Sequence, residues 1–176
     1  MNINWNLFDW EEIFGTAVAC EGLKRAQVRG LRTEIVELAI EKYSGKQLKY
    51  VGMNDKLGHD FVTNNPLPLV QIECKMQDKM FQPVAKKTRP ITLKNFAGNA
   101  KDTIEQTYDY MIMLDPVRMK AGYTTFENSI KEHKFQSSNV SVQVDHSDIT
   151  WICSGIIPKK KPEIAKALTI LLTDLI

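Results

Sequence analysis

Asp60, Glu73 and Lys75 lie close together in the chain, within a stretch whose other residues favour strands. In the run Val70-Gln71-Ile72-Glu73-Cys74-Lys75, alternate side chains on a strand share a face, so Gln71, Glu73 and Lys75 form one polar row. Ile72 and Cys74 then face the other way, toward a core. Asp60 begins the preceding β-like run, and a turn through Asn64-Asn65-Pro66 folds it back beside Glu73. Two carboxylates brought together resist ionisation unless a cation lies between them. Their hard oxygens select Mg²⁺, with Mn²⁺ able to substitute, and the backbone carbonyl of Cys74 can add a further ligand. Lys75 beside them suits the positioning of an attacking water, or the stabilisation of charge on a five-coordinate phosphorus. These are the parts that phosphodiester hydrolysis needs.

The elements that must hold these residues can be read from periodicity. Leu7, Trp10, Ile13, Phe14 and Ala17 recur at helical spacing over residues 5–20. A second helix is predicted from about Leu31 to Tyr43, with Ile35, Leu38, Ala39 and Tyr43 as its buried stripe and Ser44-Gly45 as its stop. Strands are expected at Leu48–Val51, Asp60–Thr63 and Leu69–Met76. Pro83 and Pro90 keep 77–91 irregular, a helix is expected around Leu93–Gln106, and a strong apolar strand follows at Tyr108–Leu114. A helical segment around Thr124–His133, with His133 at its end, strands at Val140–Val144 and Ile149–Cys153, and a C-terminal helix over 162–176 complete the reading. Asp145, His146 and Asp148 read as a polar turn between two strands rather than a metal site. The whole is an α/β domain, with helices flanking a mixed sheet.

Asp60 followed by Glu73-Cys74-Lys75 on the next strand resembles the signature of the PD-(D/E)xK nucleases, a superfamily that includes many restriction enzymes and Holliday-junction resolvases. The resemblance implies a restriction-endonuclease-like core in αβββαβ order, here residues 31–114, with 115–176 as an extension that resembles nothing nameable. It implies that Asp60 and Glu73 bind the metal and that Lys75 serves the attacking water. His59 stands where the family's motif has proline. Many of these nucleases also carry a glutamate on the helix before the first core strand. Glu34 is the first candidate for that second-metal carboxylate, with Glu37 in reserve; the alternative is that Glu34 is a helix N-terminal acid stabilised by the dipole.

A chain of 176 residues with 43% hydrophobic and 25% charged residues suits a single domain, 1–176, with a real core. No run approaches the roughly 20 apolar residues of a membrane-spanning helix, and the acidic, aromatic start is not a secretory signal. Three scattered cysteines suggest neither disulfides nor a zinc site, so a reducing cytoplasm is expected. Net charge is only +2, so the distribution matters more than the total. Lys24, Arg25, Arg29 and Arg32 form one basic cluster, and Lys159, Lys160 and Lys161 another. Lys86, Lys87, Arg89 and Lys94, just after the Glu73 strand, are the expected contacts to DNA phosphates. Gln82, Thr88, Asn95 and Asn99 are candidates for base edges. The expectation is an endonuclease acting on double-stranded DNA, foremost a type II restriction enzyme working as a homodimer. A Holliday-junction resolvase, a homing or phage-defence nuclease, and a non-catalytic DNA-binding subunit of the same fold remain the alternatives.

Overall fold

The computed structural model describes residues 3–20, 29–52, 58–64, 69–81, 91–96, 106–136 and 139–155. After a short 3-10 turn at Trp5–Leu7, helix α1 runs Trp10–Ala19 and helix α2 runs Arg29–Tyr43. Asp9 starts α1 by accepting the Glu12 N–H, leaving the acids Glu11 and Glu12 at the positive end of the helix. Strands β1 (Leu48–Tyr50), β2 (Phe61–Thr63) and β3 (Gln71–Met76) form an antiparallel meander. Strand β4 (Ile91–Phe96) follows, then β5 (Tyr110–Asp115), β6 (Lys120–Thr125) and the short helix α3 (Phe126–Ile130). Strands β7 (Glu132–Gln136), β8 (Asn139–Val144) and β9 (Thr150–Ser154) complete the described elements.

The main sheet has the order β1-β2-β3-β5-β6-β9, and only β3 and β5 run parallel. It is a mixed sheet in an α/β protein. A parallel neighbour needs a crossover, and 77–109 supplies it. Register decides the faces: Ile72, Cys74, Ile112 and Leu114 lie on one, Glu73, Lys75, Met111 and Met113 on the other. The first face packs on α1 and α2 through Ile13, Phe14, Val36, Ile40, Leu48 and Phe61. The second is covered by Met80, Phe81, Tyr108, Phe126, Val144 and Ile149. A second antiparallel sheet, β4-β8-β7, meets this layer through Val144 at the end of β8. Among the described residues no helix is long and apolar enough to cross a membrane.

Several elements differ from the sequence expectation. The start of the helix expected over Leu93–Gln106 is instead part of β4, residues 91–96, while 97–105 lie outside the described residues; Ile91, Thr92 and Leu93 suit a strand, and a partner far along the chain, β8, outweighs local helical spacing. The core order therefore runs αβββ and then a strand before β5, not a helix, as far as the described residues reach. The expected helix over Thr124–His133 shrinks to α3, because the Thr125 side chain accepts the Asn128 N–H and begins the helix there. His133 sits in β7, not at a helix end. Strand β6 is absent from the sequence reading, although Tyr123-Thr124-Thr125 favours a strand and the turn after Asp115 returns the chain against β5. In α2 the buried stripe is Ile35, Val36, Ala39 and Ile40, and Leu38 is exposed, as is Leu7 ahead of α1. The basic residues Lys24, Arg25, Lys86, Lys87, Arg89 and 159–161, with Gln82, Thr88, Asn99 and the helix at 162–176, lie outside the described residues.

The turn after β5 rests on one buried acid. Asp115, fully buried, accepts backbone N–H groups from Lys79, Phe81, Val117 and Arg118 at 2.9–3.1 Å and pairs with the Arg118 guanidinium at 3.5 Å. It ties the segment after β3 to the hairpin of β5 and β6. Asn in its place keeps the shape but turns one acceptor oxygen into a donor facing N–H groups. Asp115→Asn is expected to cost on the order of 3 kcal/mol, a fall in midpoint of about 10 °C by thermal unfolding. A loss below about 0.5 kcal/mol, typical of a surface site, would show that this acid does not hold the turn.

Candidate active site

The site forms where β2 stops and β3 continues. The pairing Phe61↔Ile72 closes the ladder between them, and one further step would set Asp60 opposite Glu73 on the same face. Instead of continuing as backbone, the chain bends at Asp60. Its own N–H donates to the Ile72 carbonyl at 3.0 Å, and its carboxylate accepts the Cys74 N–H at 2.7 Å. A side chain thus takes the place of a strand carbonyl. Within a strand residue the N–H and C=O leave on the same side, so the Cys74 carbonyl also faces the gap that Asp60 occupies. Gly58 permits the approach: its φ is +69°, and a Cβ there would meet Thr107 at 2.8 Å. His59 is buried, with Nδ1 against the Thr107 carbonyl at 2.9 Å; a carbonyl only accepts, so Nδ1 carries the hydrogen.

Glu73 and Lys75 share the expected face, and the Lys75 ammonium donates directly to a Glu73 oxygen. The Glu73 and Asp60 carboxyls lie close enough that the Asp60 charge adds to the rise of Glu73. Glu34, the first candidate on α2, is exposed, and Glu37 is the buried carboxyl facing the pair. Glu34, Glu37 and Glu41 fall one helical turn apart along a single stripe. The stripe was visible in the sequence, but which member meets the strands depends on the docking of α2. Tyr50 on β1, absent from the sequence reading, donates its hydroxyl to Glu37, while its backbone N–H donates to Glu41 Oε1 at 3.1 Å. Lys94 lies on β4 in the second sheet.

Burial dominates the electrostatics. It pushes Glu37 up to about 8, with the Asp60 charge adding to the rise and the Tyr50 hydrogen bond opposing it. It pushes Glu73 up to about 7, against the attraction of Lys75. Asp60 is raised as well, chiefly by burial, with the Cys74 N–H pulling it back. Burial works to lower the Lys75 ammonium, but Glu73 and Asp60 outweigh it and hold it above its ordinary value. The Cys74 thiol is pushed well up by burial and by Glu37, which disfavours the reactive thiolate. Three carboxyls therefore share one ammonium in a poorly solvated place.

Among the described residues no group of three or more His, Cys, Asp or Glu side chains is gathered as a ligand set for one ion. Asp60 and Glu73 with the Cys74 carbonyl still offer three hard oxygens, the kind and number that Mg²⁺ accepts when water or phosphate fills its remaining positions. The mutual disfavouring of ionisation among these carboxyls is the feature a divalent cation would relieve. Compared with protein-family models, curated proteins and solved structures, the chain matches none.

The raised carboxyls link stability to pH. Glu37 stands above its ordinary value of 4.5, at about 8, so between those values the folded chain binds more protons than the unfolded one. That contribution is complete below the lower value and is lost as pH rises through the upper one. With chelator present, the thermal midpoint is expected to fall across this window, and Glu37→Gln to flatten the fall. A midpoint that holds steady or climbs would contradict the electrostatic description.

Proposed function

We propose that the chain is a Mg²⁺-dependent DNA endonuclease of the PD-(D/E)xK type, with a restriction-endonuclease-like core. The observation that carries this reading is the Asp60 carboxylate beside Glu73 on the adjacent strand, with Lys75 on the same face and Cys74 turned toward Asp60. Asp60, Glu73 and the Cys74 carbonyl would hold the cation. When bound, Mg²⁺ would supply Lewis acidity, lowering the pKa of water and neutralising charge on the phosphate.

The protein's own residues do the rest. Lys75 places a positive donor group beside the attacking water and offsets the charge that builds on the phosphate oxygens as the new P–O bond forms and the old one breaks. Glu37, oriented by Tyr50, supplies a third carboxyl at the same place and, once ionised, is available for a second cation or for the proton released by the water. Two features depart from the family pattern: His59 replaces proline, and β4 stands where the αβββαβ order has a helix. Neither alters the group of Asp60, Glu73 and Lys75.

Each chain carries one such site, so cutting both strands of a duplex calls for two copies, and a symmetric homodimer in the cytoplasm is the simplest arrangement. A type II restriction enzyme fits these requirements. Lys86, Lys87, Arg89 and Lys94 are proposed to contact DNA phosphates, which makes affinity fall steeply with salt.

Cleavage of mixed-sequence plasmid and phage DNA tests the reading. Discrete fragments are expected with Mg²⁺ and none with EDTA, and Glu73→Ala or Lys75→Ala should lower the rate by roughly 10³-fold or more. Activity confined to four-way junctions would keep the chemistry and change the substrate to branched DNA. Folded protein that cuts neither kind, or variants that cut as well as wild type, would overturn the assignment.

A further inference from the structure

Arg32 belongs to a basic cluster in the sequence, yet its side chain is not a solvated one. It lies in the first turns of α2, nine-tenths buried, and forks onto Asp78 just beyond β3, with Nη1 at 3.3 Å from one carboxylate oxygen and Nη2 at 3.1 Å from the other. The pair joins two elements that flank the site from different sides. Five residues along α2, about 7.5 Å by helical rise, is Glu37. Three residues before Asp78 is Lys75. Asp115 fixes the same post-β3 segment from the opposite direction through the Lys79 and Phe81 N–H groups.

Only the Arg32 end of the pair is buried, while the Asp78 side chain is 30% exposed; desolvation of the guanidinium offsets much of the attraction, so such a pair is a poor device for stability alone. Among the described residues, Arg32 Nε is buried without a hydrogen-bond partner, a further cost. What a bidentate guanidinium–carboxylate contact supplies that an apolar contact does not is a fixed distance and angle.

We infer that Arg32 and Asp78 are positioning residues for the reaction proposed above. Their contact sets the first turns of α2 against the end of β3, and so holds Glu37 at a fixed place relative to Asp60, Glu73 and Lys75. The inference rests on the proposed nuclease reading and extends it to residues that touch neither substrate nor cation.

The test replaces the pair by apolar residues, Arg32→Met with Asp78→Leu, and by the shorter cation, Arg32→Lys. The double variant should keep a thermal midpoint near that of wild type. Its turnover should fall on the order of 10²-fold, the scale of a small misplacement, with KM for DNA unchanged. The Mn²⁺ needed for half-maximal cleavage should rise, and the increase in thermal midpoint that Mn²⁺ gives should shrink. Arg32→Lys, which keeps the charge without the fork, should fall between the two and serves if the double variant does not fold. A folded variant with wild-type turnover and wild-type Mn²⁺ response would overturn the inference and leave the nuclease reading standing. Wild-type protein that neither responds to Mn²⁺ nor cuts DNA would overturn both.

Discussion

Glu37, Asp60 and Glu73 converge on a place too poorly solvated for three charged carboxylates, with Lys75 as the cation that faces them. Left to itself such a place would exclude acids, since burying unpaired charge is among the costliest things a fold can do. Much of the surrounding structure follows from accommodating them. Strand β2 is cut short so that the Asp60 side chain, not a backbone carbonyl, receives the Cys74 N–H. Gly58 turns the chain into that position. Tyr50 extends from β1 to share the load on Glu37, and burial holds all three carboxyls above their ordinary values.

The scaffold around the site is stiff in a particular way. Behind it, Ile72 and Cys74 are buried in the layer that includes α1 and α2, so the strand that carries Glu73 and Lys75 cannot slip by one residue without exposing its apolar side. Beyond it, Asp115 and the Arg32–Asp78 pair hold the exit of β3 from two sides. On the polar face of β3, the layer of Met111, Met113, Phe126 and Val144 lies beside Glu73 and Lys75, which limits water there and strengthens every charge interaction.

The sequence carried the parts of this that are local. The alternation Gln71-Ile72-Glu73-Cys74-Lys75 determined the two faces of β3, and Asp60 needed only a turn to reach Glu73. What it could not carry depends on docking. Glu34 and Glu37 lie on one stripe of α2, and only the seating of that helix against β1 buries one and exposes the other. Ile91–Phe96 forms a strand because β8, far along the chain, is there to pair with it. The hairpin of β5 and β6 depends on Asp115 collecting N–H groups from the turn and from the segment after β3, a role that a lone acid before proline does not announce. The Arg32–Asp78 contact spans 46 residues and has no local signal at all.

The most direct test of the central claim is to look for the cation itself. Crystals soaked in Mn²⁺ and measured at the manganese absorption edge should show an anomalous peak bounded by Asp60, Glu73 and the Cys74 carbonyl, with Lys75 moved off Glu73. The peak should vanish in Glu73→Ala. A difference map that stays empty there at saturating Mn²⁺, with the Lys75–Glu73 contact intact, would contradict it and leave the three carboxyls as a buried network that serves some other purpose.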